Sequence, residues 1–419
     1  MNFAFYPCGA LAVFCHTSTT ILELPFLRNS RIPKNLEFLK IWNSLGNSRF
    51  ALAVVKSRLQ ACFTIRIIMK EIPAIDLSEY KNASTPEAKA AFYEKLLHAA
   101  HEVGFFYLVG HGISEELCDK LRAQSKEFFH LPLEVKQKIA LENSKHFRGY
   151  TAVGGEYTLG QKDWREEIDL GLDQPPRGDE PAFMRLYGPN QWSDETAELK
   201  KAFDEWQGKV NEMGFTLLDA FSNALYGRSG VFDELFGDDF YEHGKLIHYP
   251  GRAEMGDEYS ADTQGVGAHK DDGFLTLLMI DEIAGLQVEA KKGEWIDASY
   301  KKGAFVINIG EFLEIATDGY LRATKHRVKS PLKGQERISC VIFLGSKLDH
   351  KLKVYELPPQ LKEKMRGVER DPHNPLIPTI GWNYLKHRLR SHKEVAQKFY
   401  ADVYDPTNPA SALKAGIGE

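Results

Sequence analysis

The chain is short of cysteine, of long apolar runs and, beyond its first 68 residues, of positive charge. Five cysteines (Cys8, Cys15, Cys62, Cys118 and Cys340) lack the paired spacing of a zinc site, and an odd number builds no disulfide framework. Three of them precede residue 63, so the remainder holds two distant thiols, which fits a reducing compartment such as the cytoplasm. No apolar run reaches the eighteen or so residues of a bilayer-spanning helix, which argues against an integral membrane protein. Residues 1–68 carry eight Lys/Arg against Glu23 and Glu37, a net of +6, which leaves −11 for residues 69–419 out of an overall −5. An acidic body lacks the basic face that phosphate contacts require, so a nucleic-acid partner is not expected. What is present is ordinary for a globular enzyme: 419 residues, 43% hydrophobic and 26% charged.

The chain reads as four regions. Residues 1–68 show no sustained periodicity and form an atypical extension. Nothing positive precedes the apolar stretch Gly9 to Phe14, which disfavours a secretory signal, whereas the Arg/Lys-rich, acid-poor composition suits a transit segment. The simplest reading is a misassigned translation start upstream of Met69. Residues 69–236 form a mixed N-terminal region: a short strand from Ile72 to Leu77, a helix from Thr85 to Val103, a buried strand within Gly104 to Gly112, and a helix N-capped by Ser114. His111, between two turn glycines, is expected to make structural hydrogen bonds. Residues 147–171 are rich in Gly and aromatics and suit the mouth of a pocket. A long helix from Asp194 to Tyr226 is expected to break near Gly208 or Gly214.

Residues 237–350 read differently. Eight short strands separated by turn residues, without long helices between them, point to a jelly roll or barrel. Residues 351–419 return to helix, with Lys386 to Val403 packed outside and a frayed tail after Asp405.

Within the strand region lies Val266-Gly267-Ala268-His269-Lys270-Asp271-Asp272-Gly273. On an extended strand His269 and Asp271 project to one side and Lys270 and Asp272 to the other, so the first pair can share a cation. His326, on a later strand, offers a third ligand. Two histidines and a carboxylate on one face of an octahedron, with the opposite face open, suit a non-haem Fe(II) site that activates O₂. A His-x-Asp triplet arises about once by chance in a chain with fourteen histidines. His392-Lys393-Glu394 is such a decoy, since it reads as helix, where positions i and i+2 diverge, and His392 is expected to be solvated.

Thr324 to Val328 and Arg337 to Val341 are strand-like runs joined by the turn-rich Ser330 to Gly334, and a hairpin is expected between them. Arg337 and Ser339 share a strand face, where a guanidinium beside a hydroxyl suits a carboxylate held bidentately. Leu275, Leu277 and Val341 are expected to shield the site.

Gly104 to Gly112, His248-Tyr249-Pro250, His269-Lys270-Asp271, Gly285-Leu286-Gln287-Val288 with Trp295, Asn308-Ile309-Gly310-Glu311, His326-Arg327-Val328 and Arg337-Ile338-Ser339 occur in an order and spacing that resemble the isopenicillin N synthase-like family of 2-oxoglutarate/Fe(II)-dependent oxygenases. The resemblance spans residues 72–345. It implies a mainly β core of α+β character, a double-stranded β-helix or distorted jelly roll flanked by N- and C-terminal helices. It implies iron on His269, Asp271 and His326, and 2-oxoglutarate held by Arg337 and Ser339 with help from the Tyr249 hydroxyl. It further implies O₂ as oxidant, ascorbate as an accessory reductant, and oxidative decarboxylation of 2-oxoglutarate coupled to hydroxylation or a related oxidation of a small molecule. Ile247 departs from the family, where a polar co-substrate contact is common. Same-family oxidases or ethylene-forming enzymes acting without a separate primary substrate share these motifs, and a non-catalytic jelly-roll metal binder is the reading from another class. The motifs do not name the primary substrate.

Overall fold

The structure, a computed structural model, describes residues 3–5, 11–13, 71–158, 160–237, 239–251, 264–332, 334–369 and 371–418. The chain divides into two compact units, Met1–Arg66 and Ile67–Glu419. Within the first, strands β1 (Phe3–Phe5) and β2 (Leu11–Val13) pair antiparallel. The expectations of a misassigned start or a transit segment otherwise lie outside the described residues.

The second unit is built on two facing sheets. The larger contains β3 (Ala74–Asp76), β4 (Phe105–Val109), β5 (Gly149–Thr151), β8 (Glu166–Leu170), β9 (Glu242–Tyr249), β11 (Leu275–Ile280), β14 (Phe305–Ile309) and β16 (Arg337–Leu344) in the order β3-β4-β14-β11-β16-β9-β8-β5. The smaller contains β10 (Gln264–His269), β12 (Leu286–Lys291), β13 (Glu294–Asp297) and β15 (His326–Lys329) in the order β10-β15-β12-β13. A short hairpin, β6 (Tyr157–Thr158) with β7 (Gln161–Lys162), stands apart.

Strand alternation sorts the apolar residues into two cores. Val266, Leu286, Val288 and Val328 of the small sheet meet Ile247, Tyr249, Ile280, Val306 and Val341 of the large one, filling the interior of the roll. The other face of the large sheet contributes to the main core, together with apolar residues of helices α1 (Pro86–Glu102), α2 (Glu115–Phe129) and α3 (Ala197–Tyr226). The Ser114 hydroxyl accepts from the Leu117 amide at 3.2 Å and caps α2, with Glu115 and Glu116 in its first turn where the helix dipole favours them.

Five expectations are corrected. Helix α3 runs unbroken for 30 residues. Gly208 faces open space, and Gly214 is small for a packing reason, because a Cβ there would come within 2.9 Å of Leu277 and 3.0 Å of Leu344. The runs around His326 and Arg337 form no hairpin: β15 pairs with β10 and β12, β16 with β11 and β9, and the connector passes from one sheet to the other. Turn chemistry bends the chain but does not choose the partner strand. The C-terminal helix is two, α5 (Ile380–Ser391) and α6 (Lys393–Phe399), with α4 (Glu311–Ala316) earlier in the chain. His392 stands at their junction and is 2% exposed rather than solvated. The tail after Asp405 is tied back: Tyr404 bridges to Leu413, and the Asp405 amide donates to the Ala412 carbonyl at 2.9 Å.

Candidate active site

His269 and His326 are paired residues on neighbouring strands, with ring centroids 4.4 Å apart. Asp271 follows the end of β10 and reaches both. Its Oδ1 lies 3.2 Å from His269 Nε2 and 3.3 Å from His326 Nε2. Two donors about 2.0–2.2 Å from one ion and at right angles to each other stand about 3.0 Å apart, so the spacing suits a single metal. The far sides of all three groups are fixed. His269 Nδ1 lies 2.7 Å from the Gly267 carbonyl, and His326 Nδ1 lies 3.2 Å from the Thr324 carbonyl. A carbonyl only accepts, so each Nδ1 carries a hydrogen, and each ring turns its Nε2 toward Asp271, where a metal would take the lone pair. Asp271 Oδ2 accepts from the Thr276 hydroxyl at 2.6 Å and from the Asn308 amide at 2.9 Å, which aims Oδ1 at the histidines.

Lone pairs converging on a carboxylate call for positive charge. Burial pushes His269 down, but the Asp271 carboxylate outweighs it and raises the imidazole above its ordinary value. Burial alone would raise Asp271, and His326 and His269 hold it well below the usual carboxylate range instead. Lys270 and Asp272 point elsewhere, Lys270 to Glu314 at 2.8 Å and Asp272 to His387.

Arg337, Ser339 and Tyr249 lie in the roll interior, 1%, 2% and 2% exposed. Arg337 is paired with Tyr249 across β16 and β9, and its guanidinium carbon sits 5.0 Å from the centre of the Tyr249 ring. Its Nε and Nη1 are buried without a hydrogen-bond partner. An unmet buried guanidinium is costly, and an anionic ligand with two oxygens is what would satisfy it. Of the three expected shields, Val341 faces this interior, whereas Leu275 and Leu277 lie on the opposite face of the sheet, in the main core. His111 does the structural work expected of it, donating from Nε2 to the Gly303 carbonyl at 3.1 Å and accepting from the Ile113 amide at Nδ1.

His269 and Asp271 open into a cavity of about 910 Å³. The expected mouth segment supplies Glu156, Tyr157, Thr158 and Arg165, and α5 supplies His387 and Arg388. Sequence reasoning missed how charged this cavity is. Lys245 Nζ lies 2.9 Å from Glu156 and 2.6 Å from Glu167, Arg165 pairs with both, and Arg388 reaches Asp169 at 2.8 Å. Burial would raise Glu156 and Asp169, but Arg165 and Lys245 beside the first, and Lys245 and Arg388 beside the second, hold both well below their ordinary values. The signal was available: Arg165, Glu167 and Asp169 alternate along one strand and so share a face.

A jelly roll enclosing a three-donor cluster and an unsatisfied arginine has the architecture of a metal-dependent oxygenase. The chain belongs to the 2OG-Fe(II) oxygenase superfamily and is an Fe(II)/2-oxoglutarate-dependent oxygenase. Residues 241–346 match that superfamily's model, and residues 72–195 match the model described as the N-terminal region of non-haem dioxygenase in morphine synthesis. It is 33% identical to the 2-oxoglutarate-dependent dioxygenase frbJ of Dothideomycetidae sp. (strain 11243), covering 83% of this chain and 97% of that one. It is 36% identical to a homoarginine-6-hydroxylase of Arabidopsis thaliana, covering 67% and 86%. Among solved structures, a 2OG-Fe(II) oxygenase family protein from Caulobacter crescentus superposes with a TM-score of 0.61 at 27% identity, covering 77% of this chain and 99% of that one. The fold is also that of a full-length Neurospora crassa protein solved in complex with 2-oxoglutarate and 5-formyluracil, with a TM-score of 0.58 at 24% identity over 79% and 96% of the two chains.

Proposed function

We propose that His269, Asp271 and His326 hold Fe(II), that Arg337 and Ser339, with Tyr249, hold the distal carboxylate of 2-oxoglutarate, and that the enzyme hydroxylates a small, charged, amino-acid-type substrate. The observation that carries the metal assignment is the pair of histidine Nε2 atoms turned onto one Asp271 oxygen. Bound iron with 2-oxoglutarate supplies an oxidant from O₂ that oxidises a substrate C–H bond, with release of succinate and CO₂. The chain's own contribution is positional. Thr276 and Asn308 fix the Asp271 carboxylate, the Gly267 and Thr324 carbonyls fix the two rings, and Arg337 orients the co-substrate from the opposite sheet.

The substrate class rests on the cavity's charged wall and on relatives. Homoarginine-6-hydroxylases from Arabidopsis thaliana, Oryza sativa and Glycine max are 31–36% identical to this chain. Lys245, Arg165, Glu156 and Arg388 offer both signs of charge to a zwitterion and little to an apolar acid. The net −11 of residues 69–419 supports a small-molecule partner over nucleic acid, and buried free thiols at Cys118 and Cys340 support a reducing location such as the cytoplasm. Among the described residues no helix is long and apolar enough to cross a membrane.

His269→Ala and Asp271→Ala are each expected to abolish substrate-dependent succinate formation and to lower bound iron from one to none per chain. Unchanged turnover in both would defeat the assignment. Succinate release is expected with homoarginine or related basic amino acids, and faster release with an apolar carboxylic acid would reject the substrate class.

A further inference from the structure

On the outer face of the large sheet, behind the Arg337–Tyr249 pair, lies a second cluster of two imidazoles and a carboxylate: His130, His248 and Glu336. It owes its position to strand alternation. Tyr249 and Arg337 point inward, so their chain neighbours His248 and Glu336 point outward, where His130 at the end of α2 meets them. Glu336 Oε2 lies 2.8 Å from His130 Nε2 and 3.0 Å from His248 Nε2.

We propose that His130, His248 and Glu336 form a second metal site, for a divalent cation of the zinc type. Four features carry it. The donor separations match the roughly 3.0 Å between cis ligands that each lie about 2.0–2.2 Å from one ion. The His248 ring is held in place, with Phe129 stacked on it at 5.4 Å and its Nδ1 2.8 Å from Glu166 Oε1. A carboxylate that accepts from the remote nitrogen of an imidazole is the usual support of a metal-binding histidine. Glu166 is fixed in turn by Lys136 at 2.7 Å and by the Tyr150 hydroxyl at 2.6 Å. The cluster also has an entry path, since His130 is about half exposed. Lys126 pairs with the other oxygen of Glu336, leaving Oε2 to the histidines. Two nitrogens and one oxygen, with the remaining positions open to water, favour zinc, cobalt or nickel over the oxygen-preferring magnesium and calcium. The site is independent of the roles proposed for His269, Asp271, His326 and Arg337.

The test counts metal. Enzyme loaded anaerobically with Fe(II) and 2-oxoglutarate is dialysed against Zn(II), and total metal per chain is measured by elemental analysis for wild type, His130→Ala and Glu336→Gln. Both variants are mild, one at an exposed side chain and one isosteric, and circular dichroism checks their fold. Wild type is expected to bind one more ion than either variant. Anomalous scattering at the zinc edge is expected to place that ion about 2.0–2.2 Å from His130 Nε2, His248 Nε2 and Glu336 Oε2. Equal counts in all three proteins would overturn the site, whether zinc fails to bind or binds elsewhere, and would leave hydrogen bonding to Glu336 as what holds the cluster.

Discussion

Replacing Arg337 with Met should move two measurements in opposite directions. Arg337 Nε and Nη1 are buried without a hydrogen-bond partner in the protein itself. Each unmet donor costs about 1–3 kcal/mol. The contact with the Tyr249 ring at 5.0 Å returns about 1–2 kcal/mol. Methionine fills similar volume without donors, so the free variant should be more stable than wild type by about 1–3 kcal/mol, read as a higher urea midpoint at unchanged slope. Binding of 2-oxoglutarate should weaken. Two hydrogen bonds from a charged donor contribute about 1.5–3 kcal/mol each, so the loss is about 3–6 kcal/mol, on the order of 10²- to 10⁴-fold in Kd. Anaerobic calorimetry with Fe(II) present measures it. A variant that binds 2-oxoglutarate within a few-fold of wild type would refute the anchor. A variant that loses both affinity and stability would show that Arg337 is satisfied without the co-substrate.

Asn308→Leu removes one of the two groups that orient Asp271 while sparing all three donor atoms, and should weaken Fe(II) binding about 10- to 100-fold in a metal-competition titration. Glu242 lies buried beneath α3, accepting from Gln207 and Asn211, and burial raises its carboxyl to about 7 despite those donors. The folded chain thus binds this proton more tightly than the unfolded chain, whose value is about 4.3, so the contribution is complete below about pH 4 and is lost as pH climbs through about 7. Glu242→Gln should flatten the stability curve between those limits and raise stability at pH 8 by on the order of 3 kcal/mol in urea titrations, because Asn211 Oδ1, now unpartnered, can turn to accept from the new amide.

The convergence of His269, Asp271 and His326 was legible in the period-two alternation of His269 and Asp271, which carries over although Asp271 stands just past the end of β10. The same rule paired Arg337 with Ser339, and capping chemistry at Ser114 placed α2. The errors share another cause. The hairpin, the solvated His392 and the break in α3 rest on neighbours in sequence, whereas each is decided by a residue far along the chain. His392 is buried against Phe147, whose ring centroid is 6.0 Å away, and lies 3.6 Å from Glu156. Gly214 continues a helix because Leu277 and Leu344 need the space. The Ser330 to Gly334 connector has the residues of a tight turn, yet β10 and β12 claim one flank while β9 and β11 claim the other. Burial of Lys245 was hidden for the same reason, since a lone lysine in an apolar strand gives no hint of the acids on β8.

Strand register explains why one roll can carry two such different environments. Read across the large sheet, inward side chains form rungs. Arg337 with Tyr249 makes the first, and Glu167, Ile247, Ser339 and Ile280 the second. Asp169, Lys245, Val341, Leu278 and Val306 make the third, and His243, Phe343, Thr276 and Asn308 the fourth. The third and fourth rungs are mixed across their width: β8 and β9 supply charge while β11 and β14 supply apolar packing and the two hydroxyl and amide groups that hold Asp271. A guanidinium lacking a partner in the first rung and a neutralised ionic network in the third present different electrostatic needs. The guanidinium of the first rung has no partner of its own, whereas the acids and bases of the third pair with one another within the chain. Between them Ile247 and Ile280 bring apolar packing beside the Ser339 hydroxyl, while Glu167 on β8 reaches Lys245 Nζ at 2.6 Å, so the ionic network extends into the second rung. Ile247, at the position where the family resemblance implies a polar co-substrate contact, offers none, so the polar groups of this rung come from Ser339 and Glu167. The charged group of β9 on this face is Lys245, two residues earlier, held by Glu156 and Glu167.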